Sequence, residues 1–101
     1  MEHKIIITRK INGMHSDTQE LTYTCVLPFI PFIGMSIKFA NIDAYDIGVS
    51  GIISIDHLVW DLDELVWKSY DYDEVFNYSE KFMEKSKDRL QCLIDNGWKL
   101  I

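Results

Sequence analysis

Several things are scarce in this chain of 101 residues: two cysteines, two prolines, three histidines, and only 10 Lys and Arg against 16 Asp and Glu. Cys25 and Cys92 lie far apart and cannot make the disulfide framework of a small secreted scaffold. Two reduced thiols fit a reducing compartment, so a cytoplasmic protein is expected. The shortage of basic groups argues against a sequence-independent grip on nucleic acid, which needs clustered Lys and Arg to displace counterions. Long hydrophobic runs are missing too. The longest apolar stretch, residues 25–37, is 13 residues broken by Pro28, Pro31 and Gly34, whereas a spanning helix needs about 20. Met1-Glu2-His3-Lys4 before three isoleucines does not read as a secretory signal. Neither a membrane nor a nucleic-acid partner is expected.

What is present is apolar and aromatic: 48% hydrophobic and 13% aromatic residues, enough for a buried core in one domain over 1–101. Residues 2–11 are β-branched and end at Asn12-Gly13, which reads as a strand and turn. Residues 20–27 alternate, with Leu21, Tyr23, Cys25 and Leu27 on one face, and should pair with the first strand as a hairpin. The repeat Pro28-Phe29-Ile30-Pro31-Phe32-Ile33 predicts a bent, extended corner, because each proline removes a ladder donor. It leads into a third strand at 34–39. Gly48 and Gly51 suit a bulge or sharp bend. Strands at 52–60 and 65–70 follow, joined by the acidic turn Asp61-Leu62-Asp63-Glu64.

A helix is predicted over about 78–96, with Asn77 as N-cap and Asn96-Gly97 as the stop. Phe82, Ser86, Leu90 and Leu93 form its inward stripe. The tail from Trp98 to Ile101 could cap the core or add an edge strand. The expected architecture is α+β: an antiparallel five-stranded curved meander or small partly open β-barrel, with one C-terminal amphipathic helix.

Chemical motifs are few. Gly48-Val49-Ser50-Gly51 is one residue too short for a nucleophile elbow, and a strand follows it. No Cys or His pair has zinc-site spacing; strands could bring His3 and His57 together, though a half-exposed polar histidine is the plainer reading. Asp61-x-Asp63 fails as a calcium loop, since Val66 and Tyr72 stand where Gly and Glu belong. Neither cysteine has a neighbour that would activate it. No enzyme, metal or cofactor is expected.

The charge is uneven. Residues 56–74 hold seven acids (Asp56, Asp61, Asp63, Glu64, Asp71, Asp73, Glu74) against Lys68 alone, which accounts for the chain's net −6. The same stretch holds Trp60, Trp67, Tyr70 and Tyr72. Aromatics give large contact area at low entropic cost, and carboxylates steer a basic partner. The plainer reading buries both tryptophans in the core and leaves the acids as a solvated turn. A symmetric hairpin would set Trp60 opposite Leu65 and Trp67 near Leu58. For Phe29, Ile30, Phe32 and Ile33, a corner buried between helix and sheet competes with an exposed ridge suited to a homodimer contact or partner groove.

The leading functional expectation is a small acidic protein-interaction module, an inhibitor or adaptor, binding through Trp60, Asp61, Asp63, Glu64, Trp67, Tyr70 and Tyr72. The alternatives are an accessory domain holding a small ligand in a barrel mouth and, least favoured, an enzyme. A shallow exposed aromatic patch would mark a protein partner, and a deep pocket lined by Tyr and Trp a ligand.

Overall fold

The computed structural model describes residues 2–12, 18–44, 49–72 and 86–101. Among these it contains the strands β1 (His3–Asn12), β2 (Thr18–Leu27), β3 (Ser36–Ala44), β4 (Val49–Ser54), β5 (Val59–Asp61), β6 (Val66–Tyr72) and β7 (Lys99–Leu100), with one helix, α1 (Ser86–Asp95). The proposed cap Asn77 and the residues Phe82, Asp73 and Glu74 lie outside the described residues. The α+β composition expected from the sequence holds, but both sheets are open and no barrel closes.

The main sheet has five strands in the order β5-β6-β1-β2-β7, and β3-β4 form a separate two-stranded sheet. It is not a meander. β1 pairs antiparallel with β2 from His3↔Leu27 to Asn12↔Thr18, as the hairpin expectation required. On its other side β1 runs parallel to β6, from Ile5↔Trp67 to Lys10↔Tyr72. The expected strand 52–60 is two strands in two sheets. Ile53 and Ile55 are buried, but Asp56 and His57 are both exposed. Two successive polar residues break the period of two, and there the chain crosses from one layer to the other.

One face of the main sheet meets the small sheet and the helix. Ile5, Ile7, Ile11 and Leu21 form a core with Met35, Val49, Ile53, Ile55, Leu93 and Trp98. Tyr23, Cys25 and Leu27 pack against it, as their shared strand face predicts. Three rings close the centre: Tyr23, Phe39 and Trp98 lie 5.5–5.6 Å apart by centroid. The Arg9 guanidinium sits 5.0 Å from the Trp98 ring centroid, close enough for a cation–π contact.

α1 ends as the Asn96-Gly97 signal predicts. Gly97 takes φ +100°, Trp98 N donates to Leu93 O at 3.1 Å and Gly97 N to Ile94 O at 3.3 Å, the double bond of a Schellman cap. That cap drops Trp98 into the core, and the chain then pairs with β2 at Leu21↔Leu100 and Thr22↔Lys99. The tail thus does both things proposed for it. Arg89, which falls on the inward side of α1, is buried; the expected stripe did not include it.

In the small sheet the register slips between Lys38 and Asp43. A Cβ on Gly51 would overlap the Ala40 carbonyl oxygen, so the bulge can pass only over a glycine.

Candidate functional site

The β5–β6 hairpin is built around Asp61. Its Oδ1 accepts from Asp63 N at 2.9 Å and Glu64 N at 3.0 Å, and its carbonyl accepts from Leu65 N at 2.8 Å. Asp61 Oδ2 also meets Lys68 Nζ at 2.9 Å, and Glu64 reaches the same ammonium at 3.1 Å. The hydrogen bond from the Glu64 amide, with Lys68 next in weight, holds the Asp61 carboxyl below the usual carboxylate range. The hydrogen bonds that Lys68 donates to Asp61 and Glu64 raise its pKa above the usual lysine value. Leu65 closes the loop at φ +55°, a left-handed conformation that costs a side-chain-bearing residue about 1–2 kcal/mol. Asp61 is therefore a structural residue of the turn as well as an acid on it.

This turn moves the loop one residue along the chain, and so the pairing by two residues, from the symmetric expectation. Asp61 pairs with Val66, so Trp60 stands opposite Trp67. Their rings meet edge to face, with centroids 5.0 Å apart. Trp67 is half-buried against the core, while Trp60 is 41% exposed. The expectation that both tryptophans are core fails for Trp60. β5 is an edge strand, and nothing among the described residues covers the outer side of that indole.

The expected acidic-aromatic surface is divided by the pleat. Trp60 and Trp67 share the face of the sheet that carries Ile5, while Lys68, Asp61 and Tyr70 share the opposite face. Tyr70 meets His57 edge to face there, centroids 5.5 Å apart. Asp63 and Glu64 occupy the exposed tip. The side chain of Tyr72 lies outside the described residues.

The Pro-Phe-Ile corner is an exposed ridge. Phe29, Ile30, Phe32 and Ile33 are 46–64% exposed, whereas Pro31 is buried. The buried-corner reading is thereby overturned. A turn explains it: Met35 N donates to Phe32 O at 3.3 Å across Gly34 at φ +97°, which lifts Ile33 outward. Gly34 N and Met35 O then bond Ile55 O and N at 2.8 and 2.9 Å. The ridge is tied at its base to the end of β4.

These two features meet. His3, Ile30, Trp60 and Trp67 line one open groove of about 470 Å³ with an overwhelmingly apolar wall. The row Ile7, Ile5, His3 runs along the core face of β1, and the groove lies where that face passes beyond the cover of the small sheet and helix. The ridge and the hairpin are separate surfaces in the sequence, and His3 belongs to neither. The period-two row from Ile7 was the available signal for His3. Ile30 could not be joined to Trp60 without knowing that β5 leaves the small sheet.

Other chemistry is sparse. His3 faces the groove while His57 meets Tyr70 on the opposite side of the sheet. Among the described residues no group of three or more His, Cys, Asp and Glu could hold a metal ion. Burial pushes the Cys25 thiol up, and burial followed by the charge of Asp95 does so for Cys92, so neither is activated as a nucleophile. No described helix is long and apolar enough to cross a membrane. Comparison with protein-family models, curated proteins and solved structures finds no match to this chain.

Proposed function

We propose that this chain is a small protein-interaction module of the adaptor or inhibitor kind, working in the cytoplasm, and that its groove receives an apolar anchor from a basic partner. The observation that carries this reading is the convergence of the ridge and the paired tryptophans on one open apolar groove. An exposed aromatic and aliphatic cluster of this sort marks a contact surface more often than a solvated one. The groove is open, so a small molecule in it would keep much of its surface in water, unlike the 70–90% burial usual for such ligands.

Charge selects the partner. The segment from Asp56 to Lys68 carries four carboxylates and one ammonium, and the whole chain is at −6. A second copy would bring the same charges against themselves, whereas a basic segment is steered in. Selection of displayed peptides on the immobilised chain tests the reading. Enriched sequences should carry Lys or Arg around an aromatic or aliphatic residue and lose about tenfold or more in affinity on Trp60→Ser. Enrichment of acidic sequences, or binding indifferent to Trp60→Ser, would contradict it.

A further inference from the structure

The groove has a backbone element beside it. β5 is one end of the main sheet, and among the described residues no strand pairs with its outer side. Asp61 pairs with Val66 at the end of β6, and its carbonyl also turns inward to accept from Leu65 N in the loop. By the alternation of an antiparallel strand, the amide and carbonyl of Trp60 then point away from β6, toward the open edge. Among the described residues Trp60 thus presents a backbone donor and acceptor with no strand partner on the edge, and an exposed indole on the groove face.

Carboxylates bracket this edge. Asp56 is exposed just before β5, and Asp63 and Glu64 are exposed just after it. The other end of the sheet differs: β7 is two residues long, and Ile101 N continues its pairing by donating to Glu20 O at 3.0 Å.

Resting on the reading of the groove as a binding surface, we infer that the partner segment docks as an added β-strand on β5. It is an extended peptide with one large apolar residue opposite Trp60 and Lys or Arg toward both ends. The geometry requires this pattern. A strand laid antiparallel on β5 places the residue opposite Trp60 on the groove face, against Trp60, Trp67 and Ile30. Its neighbours point to the other face, and its ends reach the carboxylates at Asp56 and at Asp63, since Glu64 is engaged by Lys68. β5 has only three residues, so the ladder is short. It fixes register and direction, and the groove and the charges supply most of the affinity. A second copy meets like charge at both ends of the edge.

The test is amide hydrogen exchange by NMR on the wild-type chain, titrated with a short capped peptide holding one Phe between threonines and Lys at both ends. Two further peptides are N-methylated, one at the Phe and one at the adjacent Thr. Binding should slow exchange of the Trp60 amide by about tenfold or more. Methylation at the Phe should weaken binding by about tenfold, while methylation at the Thr, whose amide faces away from β5, should leave it nearly unchanged. If the peptide shifts the Trp60 and Trp67 indoles but leaves the Trp60 amide unprotected, and both methylated peptides bind alike, strand addition is wrong and the groove reading survives. If nothing shifts at His3, Ile30, Trp60 or Trp67, the groove reading fails with it. Protection of the Trp60 amide that rises with chain concentration in the absence of peptide would replace the basic segment by a second copy.

Discussion

At the scale of single residues, the two tryptophans divide the work of folding and recognition. Trp67 packs half-buried against the core beside Ile5, and Trp60 covers it from the edge. Trp67→Ala is expected to cost about 2–3 kcal/mol in a denaturant titration, below the range for a fully buried aromatic, and Trp60→Ala about 1 kcal/mol. For peptide binding the order should reverse, with the larger loss at Trp60. Equal losses in both assays would mean that neither ring is a free contact. Asp61 has a different role from the one its sequence suggests, since it organises the turn and holds Lys68. Its carboxyl sits below the ordinary range, so its contribution is complete above that range and is lost as pH falls through its lowered value. Lys68 is raised, so its contribution is complete below the ordinary lysine value and is lost only as pH rises past its raised value. The side-chain carboxyl carbon shift of Asp61 should therefore stay flat through the ordinary carboxylate titration near pH 4 and move only below it. Movement centred on the ordinary value would show that the clamp is open in solution.

At the scale of elements, local signals were legible and partner choice was not. Alternation in β2 correctly placed Leu21, Tyr23, Cys25 and Leu27 on the core face, and Asn96-Gly97 marked the end of α1. Both are properties of neighbours in sequence. The division of 52–60 between β4 and β5 left a trace in Asp56-His57, two polar residues where alternation allows one. The parallel pairing of β1 with β6 left none, because a crossover joins strands far apart and either edge of β1 would accept a strand. The one-residue displacement of the loop depended on Asp61 bonding the loop amides, which is a side-chain choice that composition does not reveal. The helix offers a measurable check. Leu93 is 1% exposed and Leu90 only half-buried, so Leu93→Ala should cost about 2–5 kcal/mol and Leu90→Ala clearly less. A loss below about 1 kcal/mol at Leu93 would mean that α1 is not part of the cooperative core.

At the scale of the whole molecule, the candidate site depends on how the layers fail to overlap. The small sheet and α1 cover the face of the main sheet at Ile5, Ile7, Ile11 and Leu21, and stop short of its β5–β6 corner. The apolar row continues past them into the groove, and the ridge tied to Ile55 forms the opposite wall. Charge then biases what can approach. Because Asp61 and Glu64 are engaged by Lys68, Asp56 and Asp63 are the acids to neutralise when steering is tested. Asp56→Asn with Asp63→Asn should leave folding nearly unchanged, slow association with a basic peptide, and flatten its dependence on salt. An unchanged rate in both low and high salt would assign these acids to solvation alone.

The binding face itself is settled most directly by crosslinking. A basic peptide with a photoreactive benzophenone at its central apolar position, irradiated on the wild-type chain and mapped by mass spectrometry, reports which side chains surround the anchor. Adducts at Ile30, Trp60 and Trp67 are the expected result. Adducts centred on Thr8, Thr22 and Tyr70, the opposite face of the same sheet, would contradict the groove as the site of recognition.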